Sequence, residues 1–247
     1  MIQEAAALLL NARRSAAPLT ELPQSCRPLT PEDAYAIQDV VVRELGGIGG
    51  WKVGAATPEA VPSCSPLPAP LIFRSGHVFP PRAIRLNGVE AELAFTFAQA
   101  LPPRSEPYGA DDVAQAIRSV HAAIEVVDSR YEDMRAVDPL SQLADLGNNG
   151  ALVVGGPRRE GVRVDQTWQA VELFVGGASV FQAVGGNTAG DVFRLLAWLA
   201  NHAAARSGGL RAGQVVTTGS CSGVRFLASG DRVRANFPGV GECEVSL

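Results

Sequence analysis

Val89-Glu90-Ala91-Glu92-Leu93-Ala94-Phe95-Thr96-Phe97 decides the reading of this chain. Its odd positions are all apolar and its even positions mostly are not, the alternation of a β-strand. Such a strand aims Glu90 and Glu92 at one face, roughly 7 Å apart. Two anions held that way repel unless something positive lies between them. A hard divalent cation such as Mg²⁺ suits the position, because it prefers oxygen ligands and binds through a few carboxylates plus water and substrate. A solvated strand face is the other reading, since Glu is ordinary on a surface.

The surroundings bound what such a strand belongs to. With 247 residues, 47% of them hydrophobic, and no long polar tract, the chain reads as globular throughout. One catalytic domain over residues 1–247 is expected, with a helical N-terminal subdomain at 1–49 and a β-rich core at 50–247. A formal net charge of -4 argues against a basic surface for nucleic acid or anionic lipid and points to small-molecule partners. Cys26, Cys64, Cys221 and Cys243 form no CxxC pair, which suits a reducing compartment better than a disulfide framework or a zinc site. Glu4 precedes a short apolar run and Arg13 and Arg14 follow it, the reverse of a secretory signal, so a cytoplasmic location is expected.

Residues 2–14 place apolar side chains at helical spacing, and Thr30-Pro31-Glu32-Asp33 supplies an N-cap, a first-turn proline and acidic residues for a second helix, stopped by Gly46 and Gly47. The proline-rich stretch from Pro58 to Pro81 cannot sit inside a central strand and reads as a loop or lid. A helix is expected from Asp111 to His121, followed by a strand from Ala122 to Val127. Further strands are expected at Ala151–Val154 and Ala178–Ala183, a long helix at Thr188–Arg206 capped by Gly208, and strands from Gln214 onward.

Three other constellations carry chemistry. Glu125 stands among apolar neighbours in Ile124-Glu125-Val126-Val127-Asp128-Ser129-Arg130, where a buried carboxylate needs either an ion-pair partner or a metal. Lys52, the only lysine, lies in Gly50-Trp51-Lys52-Val53-Gly54; it is either a snorkelling strand residue or a proton-transfer group tuned by apolar surroundings. Gly219-Ser220-Cys221-Ser222-Gly223 has the G-x-C-x-G shape of a cysteine nucleophile elbow, but no histidine follows residue 202 and no room is left for the helix an elbow requires. His77, His121 and His202 are isolated in sequence.

The stretches Gly50–Gly54, Val89–Phe95, Ile124–Arg130 and Gly213-Gln214-Val215-Val216-Thr217-Thr218-Gly219-Ser220 together resemble the 2-keto-4-pentenoate hydratase and 4-oxalocrotonate decarboxylase group of the fumarylacetoacetate hydrolase superfamily. The resemblance implies an α+β fold built on a mixed β-roll. It implies Mg²⁺ or Mn²⁺ held by Glu90, Glu92 and Glu125, and a lyase acting on a 2-oxo or 2-hydroxydienoic acid in aromatic catabolism. Hydration is the expected reaction, with decarboxylation or C–C hydrolysis as alternatives, and a homo-oligomer is the expected assembly. Lys52 matches the family's active-site lysine; Asp128 and Arg130 are expected as catalytic residues, and Thr218, Gly219 and Ser220 as substrate contacts. The chain departs from many relatives at Asp145-Leu146, where they carry Asp-Asn, so that Asn148 or Asn149 would have to supply the missing amide. The hydrolase branch uses a His-Glu dyad on a lid, and His77 has no acidic partner nearby in sequence. A cysteine hydrolase using Cys221 and a non-catalytic family member remain as readings of a different class.

Overall fold

A computed structural model describes all residues, Met1–Leu247. Two helices come first. In α1 (Ile2–Ser15), Ala5, Ala6, Leu9, Leu10 and Ala12 form the buried stripe. In α2 (Pro31–Glu44) a reciprocal capping box closes the N-terminus: Asp33 N donates to Thr30 Oγ1 at 3.2 Å and Thr30 N to Asp33 Oδ2 at 3.2 Å. Thirteen strands and three further helices follow. They are β1 (Ile48–Gly54), β2 (Ser63–Pro68), β3 (Ile72–Arg74), β4 (His77–Val78), β5 (Gly88–Phe97), α3 (Ala110–Ala116), β6 (Ile117–Val127), α4 (Pro139–Ala144) and β7 (Asn149–Val154). After these come β8 (Ala170–Val175), β9 (Ala178–Val184), α5 (Val192–Ser207), β10 (Val215–Ser220), β11 (Arg225–Phe226), β12 (Arg232–Phe237) and β13 (Gly241–Ser246).

The strands form two mixed sheets and no closed barrel. The larger runs β2-β1-β10-β5-β6-β7-β3, with β11 added to β5; the smaller runs β4-β13-β12-β8-β9. The odd residues of β5, Val89 to Phe97, join the main core with β12, β13 and α5, while the even face carries Glu90, Glu92 and Ala94. A separate helical core gathers α1, α2 and α4 around Tyr131 and Leu146, and α2 packs against the edge strand β2. Fully buried Gln38 ties these layers together by donating to Ser65 Oγ at 2.9 Å and Leu143 O at 2.6 Å.

β1 lies parallel to β10, with Gly50 opposite Val215 and Lys52 opposite Thr217. A Cβ at Gly50 would stand 2.4 Å from Val215 O, so only glycine lets the two strands approach.

Three expectations need correction. The stretch Pro58–Pro81 is no simple loop or lid: it contains β2, β3 and β4, with Pro66 and Pro68 inside β2. They are tolerated because β2 is an edge strand that pairs only with β1. The expected helix to His121 stops at Ala116, and β6 begins at Ile117. Val120 and Ser119 pair with Phe95 and Thr96, so the full length of β5 extends the strand backward over a helical-looking segment. The long helix also starts later than expected, at Val192, where Asp191 accepts from Phe193 N at 2.9 Å.

Candidate active site

The two central strands bring three carboxylates together. Glu90 lies directly across from Glu125 in the antiparallel β5/β6 pair, and Glu92 follows Glu90 on the same face. One oxygen from each of the three lies within 4.8 Å of the others. Glu92 and Glu125 are buried and Glu90 is half-buried.

Each carboxylate has a different set of holders. Glu92 accepts from Thr217 Oγ1 and, at 3.0 Å, from Gly219 N. Glu125 Oε1 accepts from Lys52 Nζ at 2.6 Å and Asn149 Nδ2 at 3.0 Å, whereas its Oε2 is buried with no partner. A buried carboxylate oxygen left without a donor is costly. Burial, and then repulsion from Glu125, push Glu90 up from the ordinary carboxylate range. Glu92 is pushed well above it by burial and by both neighbouring glutamates. Burial alone would lower the Lys52 ammonium, but the attraction of Glu125, Glu90 and Glu92 outweighs it and the net shift is upward.

Lys52 Nζ also donates to Gly147 O at 3.0 Å. That carbonyl is presented by three successive residues in the left-handed region, Leu146 (φ 53), Gly147 (φ 60) and Asn148 (φ 59). Such a run is sterically costly for the two non-glycine residues. Asn148 then lines the cavity over the acidic cluster, with its Nδ2 donating to Gln142 at 3.3 Å and its buried Oδ1 without a partner.

The cavity measures about 290 Å³ and is lined on its polar side by Lys52, Glu90, Glu92, Ser65, Gln142 and Ser220. Lys52 is the one basic residue in the lining, and 22% of its side-chain surface stays exposed there.

Of the residues singled out from sequence, Lys52, Glu90, Glu92, Gly219 and Ser220 line this cavity, and Glu125 lies beneath it, bonded to Lys52. Thr218 does not reach it. Strand alternation turns its hydroxyl to the other face, where it donates to Leu93 O at 3.2 Å and accepts from Gln166 at 3.0 Å. Thr217 takes the position facing Glu92, which the pairing of β10 with β5 sets and alternation alone does not. Asp128 and Arg130 also lie outside the cavity, because both fall beyond the end of β6. Arg130 is buried and holds Asp145 through Nε at 2.6 Å and Asn149 O at 3.1 Å; Asp128 accepts from Leu86 N at 3.1 Å. Asn149, offered in sequence only as a substitute amide, is the residue that grips Glu125.

The rival chemistry is disfavoured by its surroundings. Cys221 is buried, and burial followed by Glu92 pushes its thiol up to about 12, far from the thiolate a nucleophile requires. The histidines are held elsewhere. His121 is buried among Gly155 O, Ser119 and Thr96, while His77 stacks on Phe73 and His202 on Trp198.

Residues 60–247 match the family described as fumarylacetoacetate (FAA) hydrolase C-terminal. The chain belongs to this family. Among similar proteins, 2-hydroxyhexa-2,4-dienoate hydratase of Comamonas testosteroni is 26% identical over 252 residues, covering 97% of this chain and 94% of that protein. The 2-keto-4-pentenoate hydratase of Burkholderia vietnamiensis (strain G4 / LMG 22486) is 29% identical over 260 residues, covering 100% and 97%. The fold is shared with 4-oxalocrotonate decarboxylase from Pseudomonas putida G7, solved with magnesium and adipate. That structure has a TM-score of 0.86 and 24% identity, over 100% of this chain and 98% of the other. No helix of this FAA hydrolase family member is long and apolar enough to cross a membrane.

Proposed function

We propose that this protein is a divalent-metal-dependent lyase that hydrates a 2-hydroxydienoic acid of the 2-hydroxypenta-2,4-dienoate type, with Mg²⁺ or Mn²⁺ as cofactor. The observation that carries the reading is the unpartnered, buried Oε2 of Glu125 beside Glu90 and Glu92. Three carboxylates share one ammonium there, and an all-oxygen donor set fits a hard dication. Similarity along the full chain to proteins named as hydratases supports the reaction class.

Glu90, Glu92 and Glu125 would hold the ion, with Thr217 and Gly219 fixing Glu92 and Asn149 fixing Glu125. When bound, the cation supplies Lewis acidity toward the carboxylate and keto oxygens of a 2-oxo acid and eases proton exchange at the adjacent carbon chain. Lys52 is held as an ammonium. It uses two of its three N–H groups on Glu125 and Gly147 O, which leaves one for the cavity. We assign it proton donation to the dienol's terminal carbon while the enol proton is lost, giving an unsaturated ketone. Asn148, which lines the cavity, is the residue we assign to orienting the water added to the far end of that enone.

A monoacid is favoured over a dicarboxylate. Lys52 is the one cation lining the cavity, and it already faces three carboxylates, so a second substrate carboxylate would lack a counter-charge. Absorbance decay of 2-hydroxypenta-2,4-dienoate should require added Mg²⁺ or Mn²⁺ and yield a hydroxy-oxo acid without CO₂. Equal decay by protein stripped on a chelating resin would sink the proposal.

A further inference from the structure

A second and larger cavity, of about 440 Å³, is joined to the acidic cluster through a single residue. Asn149 gives its side chain to Glu125, while its backbone carbonyl accepts from Arg13 at 2.7 Å and from Arg130 at 3.1 Å. Both arginines line this cavity, together with Arg82 and Arg85 from the connection between β4 and β5. Phe73 and Phe79 form its apolar wall.

The charge here is unbalanced. Arg130 is paired with Asp145, but Arg13, Arg82 and Arg85 have no carboxylate within ion-pair distance. Arg85 donates to the carbonyls of Ser129, at 3.2 Å, and Tyr131, which fix its position without cancelling its charge. Arg13 uses one N–H on Asn149 O, out of the five a guanidinium carries. Burial and then the nearby Arg130 pull the Arg13 guanidinium down to about 10 from its ordinary value. Asp128 is the single carboxylate in the lining. Guanidiniums gathered with donors to spare form a fork for a carboxylate, and a volume of this size lies within the range of small-molecule sites.

We propose that this cavity is a second ligand site, taking a small monocarboxylate whose charged end meets the arginine wall and whose compact apolar body lies against Phe73 and Phe79. Asp128 disfavours a doubly charged ligand and so separates a carboxylate from phosphate. The site is distinct from the acidic cavity and does not depend on the lyase reading.

The test is a calorimetric titration of metal-stripped protein with benzoate and, separately, with inorganic phosphate. Without metal the acidic cavity offers benzoate no dication, and loss of affinity in Arg13→Gln or Arg82→Gln assigns the heat to this cavity, so the outcome is independent of the metal assignment. One benzoate per chain is expected, bound more tightly than phosphate. Arg13→Gln or Arg82→Gln should weaken it by about tenfold. Arg82 is exposed, so its replacement leaves the fold in place. No heat up to about 10 mM benzoate, phosphate bound as tightly as benzoate, or an affinity that neither variant changes would each overturn the proposal.

Discussion

The two cavities on either side of Asn149 are opposites in charge. One sets three carboxylates against a single ammonium; the other gathers four guanidiniums and has one carboxylate in its lining. The carboxylates stand on paired strands, whereas the guanidiniums come from α1, the exposed connection before β5 and the segment after β6. Elsewhere the chain pairs its charges locally, as in Arg232 with Glu244 and Arg234 with Glu242 across β12 and β13. The contrast teaches that surplus charge of one sign marks what a site is built to receive, most clearly where neutral groups fix it, as Thr217 and Gly219 fix Glu92 and backbone carbonyls fix Arg13 and Arg85.

Removing a carboxylate from the acidic side should have the largest effect. Glu92→Gln keeps the shape but lowers the donor charge, and loss of Lewis-acid stabilisation worth several kcal/mol should reduce turnover on the order of 10³-fold or more. Calorimetry should show weakened Mg²⁺ binding in the same variant, and unchanged affinity would remove Glu92 from the metal set.

Lys52→Met separates the ammonium from the carboxylates. It should retain Mg²⁺ and still bind oxalate, yet lose on the order of 10² in turnover. Lys52→Arg distinguishes charge from proton transfer, because an arginine stays protonated. Full rescue by arginine would leave Lys52 a purely electrostatic role.

Asn149→Ala acts where the two cavities meet. Loss of its bond to Glu125 should weaken metal binding by roughly 10- to 100-fold, the range for residues that orient ligands. A metal affinity equal to that of the unaltered protein would show that Glu125 needs no support from Asn149.

The smallest effect expected is on stability. Glu90 and Glu92 have raised folded-state values, so between the unfolded carboxylate value and those raised values the folded protein binds more protons than the unfolded chain. Metal-free protein should therefore lose stability as pH rises through that window. Saturating Mg²⁺ should flatten the dependence, and Glu92→Gln should reduce it. Thermal melts across pH with and without metal measure this, and a Tm that rises through the window in Glu92-dependent fashion would contradict the assigned shifts.

Much of the acidic side was legible because strand alternation is a short-range code. Glu90 and Glu92 share a face by period alone, and Glu125 announces itself as a charge in an apolar run. Lys52 stands out by its rarity. Positions set by register rather than by period were harder to see. Thr217 rather than Thr218 meets Glu92, and Asp128 and Arg130 fall just past the strand that carries Glu125. The left-handed run Leu146–Asn148 has local signals in Gly147 and Asn148, but nothing local places Leu146 there or turns the Gly147 carbonyl to Lys52. The arginine cavity was invisible because α1, the connection before β5 and the segment after β6 meet only in three dimensions.

The parallel pairing of Gly50 with Val215 also sets a timetable. Lys52 leaves the ribosome long before Thr217, and at ordinary rates of synthesis the gap between the two strands is roughly 8 to 33 s. Until β10 arrives, β1 has only the edge strand β2 beside it, and the glutamates of β5 lack the Thr217 and Gly219 donors that fix Glu92. The acidic cluster is thus among the last features a nascent chain can complete. Capture of a divalent ion would report the end of folding rather than its beginning, and a truncation before residue 215 would leave three carboxylates on a sheet that lacks the strand joining β1 to β5.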